Sequence, residues 1–180
     1  MKLYFDSEFT GKHKDSVFIN LAIIDEDGRS FYAEFNDYPE DQVAKEVLDK
    51  NSKLLTLRDY ICEGDSTMVR GDSEKIRYHL LDWLSIYDEA IFVIDGGHYD
   101  FVLLTELLSP EDELPENICS VYLELNNEIS IYKGVSVLDA FNYDRRDIFT
   151  ELVETSLPEN IIFNTLYNAT LIKAIHQELQ

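Results

Sequence analysis

The chain has 180 residues, 45% of them hydrophobic, enough for one packed domain spanning 1–180 without disulfide or metal staples. Its 36 acidic residues against 15 lysines and arginines leave a net charge of −21, which disfavours nonspecific attachment to nucleic acid or to an anionic membrane. Eleven tyrosines and ten phenylalanines exclude a disordered chain, and no apolar run is long enough to span a bilayer.

No cationic leader with an apolar run and cleavage site precedes the first strand, so a cytoplasmic location is expected. Cys62 and Cys119 fall in no metal or redox spacing and are expected to be free thiols. A nucleic-acid partner would need a basic patch or a bound metal to offset the field. The same acidity has a second reading, a decoy or inhibitor that docks on a basic partner.

The first strand, Met1 to Glu8, ends in Asp6 and Glu8. Side chains alternate along a strand, so the two carboxylates share a face with Tyr4 while Leu3 and Phe5 take the other. Burying unpaired carboxylates is costly, and a divalent cation with its preference for oxygen ligands is one remedy. A solvated strand end leading into the polar loop Thr10-Gly11-Lys12-His13-Lys14 is the plainer alternative.

Val17 to Asp25 is dense in β-branched and aromatic residues and suits a central strand. Glu26-Asp27-Gly28 signals a hairpin, and Ser30 to Phe35 alternates as its second arm. Pro39 to about Asn51 has an acidic helical pattern, and Leu54 to Gly71 has no clean period and reads as an irregular excursion. Ser73 is placed to cap a helix running through Ile76, Leu80 and Leu84, with Trp83 as a packing residue.

Ala90 to Ile94 is a short, fully apolar run of the kind found in buried parallel strands. The turn Asp95-Gly96-Gly97-His98 follows, with Asp95 read as a turn residue, and then a helix from Tyr99 to Leu108. Val121, Leu123 and Leu125, then Ile129 and Ile131, alternate about Asn126-Asn127 and suggest an extra hairpin. Val135 to Leu138 reads as a strand, Asp144 to Val153 as a helix, and Phe163 to Leu179 as the last helix. A hairpin followed by alternating helices and strands predicts a mixed sheet covered on both faces, with its site beyond the carboxyl ends of the parallel strands. Asp6, Glu8 and the Asp95–Asp100 turn all fall at such ends, Asp100 in the first turn of a helix and Asp95 the poorer candidate. A first-turn acid is also a common partner of the helix dipole.

Three runs then resemble, in order, the motifs of the DEDDh 3′–5′ exonucleases: Asp6-Ser7-Glu8-Phe9, Gly97-His98-Tyr99-Asp100-Phe101 and Phe163-Asn164-Thr165-Leu166-Tyr167-Asn168-Ala169. The hairpin after the first motif is also similar, and the likeness is to the small bacterial and phage exoribonuclease branch. Residues from about Asp37 to Gly71 match nothing in it. The resemblance implies a ribonuclease H-like α/β fold, a five-stranded or extended mixed sheet, and hydrolysis by two Mg²⁺ or Mn²⁺ ions about 4 Å apart. It assigns Asp6 to both ions, Glu8 to the water-side ion and Asp100 to the other.

Two positions depart from the pattern. The fourth carboxylate falls on Asn168, whose amide brings no charge and weakens Mg²⁺ binding to one ion or two loosely held. The general-base histidine falls on Phe163, which cannot accept a proton, a loss of ~10²–10⁴ in rate. His13 is the first substitute, since His98 on a helix faces away from Asp100. Single-stranded RNA 3′ ends are the implied substrate, with Phe9, Lys12, His13 and Lys14 as contacts and Phe9 stacking on a base. Arg145 and Arg146 are further phosphate contacts or else solubilising surface charges. A homodimer is common in such relatives. Activity is expected to be weak or lost, with a nonhydrolytic module binding nucleic acid or protein as the alternative.

Overall fold

The computed structural model describes residues 1–11, 14–39, 41, 43, 65–96, 98–109, 113–153 and 165–180. Six strands form one sheet: β1 (Lys2–Phe9), β2 (Phe18–Asp25), β3 (Ser30–Phe35), β4 (Ser66–Gly71), β5 (Ala90–Ile94) and β6 (Ile118–Glu124). Their order is β4-β3-β2-β1-β5-β6, and β2 alone runs against the others. Helices α1 (Ser73–Leu84), α2 (His98–Leu108), α3 (Leu125–Lys133), α4 (Val137–Ala140), α5 (Arg145–Val153) and α6 (Thr165–Glu178) complete the described elements.

β2 is buried at all eight positions, because helices cover both faces of the sheet at its centre. Leu3, Phe5, Leu21 and Phe92 form one core with Ile76 and Leu80 of α1 and Phe101 and Leu104 of α2. Tyr4 and Val93 form a second core with Leu125 and Ile129 of α3, Ile148 of α5, and Tyr167, Leu171 and Ile175 of α6. The β2–β3 turn closes through Gly28 at φ +91°, a conformation that favours glycine. Asp25 at the end of β2 is buried, and it accepts from the Arg29 amide at 2.8 Å and the Tyr87 hydroxyl at 2.9 Å.

Four expectations need correction. Ser66–Gly71, within the span read as irregular, is a strand parallel to β3, in register from Ser30–Ser66 to Phe35–Gly71. It lies at the sheet edge with three exposed residues, so its apolar pattern is thin. The extra hairpin is half strand and half helix. β6 leads into α3, whose buried positions Leu125, Asn126, Ile129 and Ser130 follow a helical stripe, while Ile131 is 81% exposed. Glu124 accepts from the Asn126 amide at its start, and Gly134 at φ +65° ends it. Val135 to Leu138 is no strand. Ser136 caps the one-turn α4 by accepting from the Asp139 amide at 3.1 Å, and that cap outweighs the β-branched valines. The cap of α1 is Asp72, which accepts from the Lys75 amide at 2.8 Å, and Ser73 is its first residue.

Trp83 is buried, as expected. Cys119 is free, whereas Cys62 and most of the helix expected from Pro39 to Asn51 lie outside the described residues. No described helix is long and apolar enough to cross a membrane.

Candidate active site

β1 and β5 lie side by side and parallel, with Tyr4 opposite Val93, so their carboxyl ends open at the same edge of the sheet. β1 delivers Asp6 and Glu8 there, and β5 delivers Asp95. α6 crosses the face of β1 that carries Tyr4 and Asp6. On it Asn168 donates from Nδ2 to Asp6 Oδ2 at 3.0 Å. Asp100, in the first turn of α2, accepts a hydrogen bond from the Ser7 hydroxyl. Alternation along β1 turns Ser7 away from Asp6, so Asp100 approaches the strand end from the α2 side.

Burial pushes the Asp6 carboxyl well above the usual carboxylate range. The neighbouring Asp100 charge adds to that push, the Asn168 hydrogen bond opposes it, and Glu8 and Asp95 contribute further repulsion. The three acids expected from sequence are therefore brought into electrostatic contact, together with a fourth, Asp95, the poorer candidate of the turn after β5. Its signal was the position just beyond a buried parallel strand, where sheets of this type place their sites.

Asp95 is not free. Arg145 donates to it from Nε at 2.6 Å and from Nη2 at 2.7 Å, a bidentate pair whose side chains are 15% and 19% exposed. Arg145 is thus no solubilising surface charge. Asn126 joins them, donating to Asp95 at 3.1 Å and to Glu124 at 2.7 Å. Asp6, Asp95, Arg145, Asn168, Leu171 and Ile172 enclose a cleft of about 190 Å³. A larger cavity of about 380 Å³, walled by Val17, Arg77, Leu103 and Leu107 among others, holds none of these carboxylates and is set aside for the chemistry.

The remaining predicted residues divide. Phe9 packs on Tyr99 with ring centroids 5.3 Å apart, at the margin of the first core. Lys14 is exposed. Lys12, His13 and Phe163 lie outside the described residues. His98 pairs with the Tyr122 hydroxyl, and Arg146 with Asp144 through its Nε at 2.8 Å.

The oxygens gathered here are the donors a hard divalent cation takes. Their arrangement does not fit one, because among the described residues no three His, Cys, Asp or Glu side chains come together in a group able to hold an ion. Asp6 is engaged by an amide, Asp95 by a guanidinium and Asp100 by a hydroxyl.

No family model matches the chain, and no curated protein matches it in sequence. One solved structure with the same fold is described as "3'-end specific recognition of histone mRNA stem-loop by 3'-exonuclease". It superposes with a TM-score of 0.63 at 10% identity, covering 97% of this chain and 79% of that one. That likeness concerns fold alone, a mixed six-stranded sheet with helices on both faces, and in this chain acidic residues gather at the carboxyl ends of β1 and β5.

Proposed function

We propose that this chain binds the 3′ end of single-stranded RNA on an exonuclease fold, and that Mg²⁺- or Mn²⁺-dependent phosphodiester hydrolysis is weak or lost. The shared fold and the acidic strand ends support the first half. The hydrogen bond from Asn168 to Asp6 carries the second. A carboxylate at position 168 would repel Asp6 until a cation came between them. The amide instead hydrogen-bonds Asp6 and adds no charge of its own, which lessens that demand while the push from Asp100, Glu8 and Asp95 remains. Phe163, at the position of the general base, can take no proton from water. The residues present therefore hold one another, and the cleft offers a small acidic recess rather than a poised hydrolytic centre.

The test is a 3′-labelled single-stranded oligoribonucleotide incubated with the protein and Mn²⁺. Binding with little release of mononucleotides is expected, and Asn168→Asp combined with Phe163→His should raise that release. Rapid release by the unaltered protein, abolished in Asp6→Asn, would overturn the loss of hydrolysis. Absence of any binding would overturn the RNA-end assignment. The net charge of −21 favours a second reading, in which the exonuclease fold docks as an acidic surface on a basic protein. Capture of a basic partner in a salt-sensitive complex, with no affinity for RNA, would select it.

A further inference from the structure

Arg145 holds a second piece of structure besides Asp95. Its guanidinium has five N–H donors, and all five are used. Nε and Nη2 reach Asp95, Nη2 also reaches Asn126 Oδ1 at 2.6 Å, and Nη1 donates to the carbonyls of Ala140 at 3.0 Å and Tyr143 at 2.7 Å. Nothing remains for a phosphate. What Arg145 does is tie the turn after α4 to the end of β5, beside the cleft that it also lines.

Phe141 sits between those two anchored carbonyls. Its ring lies against Gly96, the residue after Asp95: a Cβ at Gly96 would stand 2.9 Å from Phe141 Cε1. Gly96 has φ +67°, so a side chain there is excluded by backbone conformation as well as by the ring. Phe141 is nevertheless 48% exposed. A large aromatic thus lies against Gly96 on one side and is half exposed, next to the acid cleft.

We infer that Phe141 is a stacking platform for a nucleobase of an RNA strand whose end enters the Asp6 cleft. This rests on the RNA-end assignment above. Charge selects this occupant's mode of binding. The chain carries −21 overall, Arg145 is saturated and Arg146 is paired with Asp144, so neither of these two arginines is offered to a phosphate. Base–aromatic stacking is a sequence-tolerant contact that needs no cation. The backbone on either side of Phe141 is held by Arg145 through the Ala140 and Tyr143 carbonyls, which lowers the ordering cost of binding there.

The experiment uses the full chain without added divalent cation and an oligoribonucleotide with 2-aminopurine near its 3′ end. The unaltered protein should quench the probe by stacking, with a shallow dependence of affinity on salt. Phe141→Ala should abolish the quench and weaken binding about tenfold. Phe141→Leu, which keeps apolar packing on Gly96, should lose the quench while melting like the parent, and Phe141→Trp should retain it. Binding by the unaltered protein that Phe141→Leu leaves fully quenched overturns the inference and spares the RNA-end assignment. No binding by the unaltered protein overturns both. A change in sedimentation rather than in RNA affinity assigns the face to a protein partner or a second copy, and overturns the inference too.

Discussion

Tyr4 and Asp6 lie on the same face of β1 and meet the same helix, α6, one at His176 and the other at Asn168. At the Tyr4 end the polar groups complement one another. The Tyr4 hydroxyl lies 3.3 Å from His176 Nδ1, and His176 Nε2 lies 3.2 Å from Glu128 Oε1. With the ring neutral, Nε2–H donates to the carboxylate and Nδ1 accepts from Tyr4. Desolvation holds His176 down to about 4, helped by the Lys2 charge and opposed by Glu26, and burial also pushes the Tyr4 hydroxyl up to about 12. At the Asp6 end the groups are of one sign. Asp6 is raised by burial and by Asp100, Glu8 and Asp95, with one amide against them. Two polar pairs a short way apart on one strand thus differ in kind. The first consists of matched donors and acceptors that hold the fold together. The second retains a self-repelling cluster that packing alone would have no reason to keep.

The comparison breaks most visibly at Arg145, which donates to Asp95 from two nitrogens at the acidic end. Arg145→Ala leaves Asp95 largely buried without its counter-ion and drops hydrogen bonds to Asn126, Ala140 and Tyr143. A loss of about 3 kcal/mol is expected, the lower part of the range for a broken buried pair because Asp95 retains some exposure. Arg145→Lys should recover only part of it, since one ammonium cannot span a carboxylate, an amide and two carbonyls. Urea denaturation checks both. A loss below about 1 kcal/mol for the alanine variant would place the pair among ordinary surface bridges.

How much of this was legible follows the same division. Asp6, Glu8 and Asp100 could be read because strand alternation and a first helical turn place side chains by period alone. The central strands could be read because burial on both faces makes them continuously apolar. β4 could not, since an exposed edge strand keeps too little apolar signal. α3 and α4 could not, since their short apolar runs fit either period and the caps Glu124 and Ser136 decided the outcome. Asp95 and Arg145 are 50 residues apart and become partners only once β5 and α5 are packed, so no local pattern announces them. The identities of Asn168 and Phe163 were plain, but the hydrogen bond from Asn168 that satisfies Asp6 needed the structure.

Acid should separate the two ends by sign. Burial holds His176 down to about 4 in the folded chain against an ordinary 6.5, so the unfolded chain takes up a proton first. Its contribution to stability is complete above pH 6.5 and is lost as pH falls toward 4, on the order of 3 kcal/mol in all. Asp6 acts oppositely. Its folded carboxyl lies well above the usual carboxylate range, so its cost is present at neutral pH and is relieved as pH falls. Melting temperature followed from pH 7 to pH 4 should therefore fall through the histidine window in the unaltered protein. In His176→Phe that part of the slope should flatten, whatever the variant's starting stability. An unchanged slope would mean that His176 is not held neutral by the Tyr4 end of the strand.

The smallest effect is the most diagnostic for the acidic end. Asp6→Asn removes one buried charge from a cluster of four carboxylates and keeps the shape of the side chain. The new amide can still accept from Asn168 through its oxygen. At pH 7 the variant should be more stable by about 1 kcal/mol, a rise of ~2–4 °C in melting temperature for a chain of this size. The gain should shrink in acid, where the parent Asp6 is itself protonated. Repeating the melt with Mn²⁺ sharpens the comparison. If the cleft holds no cation, the metal leaves the difference unchanged. If the carboxylates rearrange around an ion, Mn²⁺ raises the parent by mass action and not the variant, and the order of the two reverses. A stabilised Asp6→Asn that stays ahead at every Mn²⁺ concentration would mark the strand end as a cluster kept for recognition rather than for metal-assisted hydrolysis.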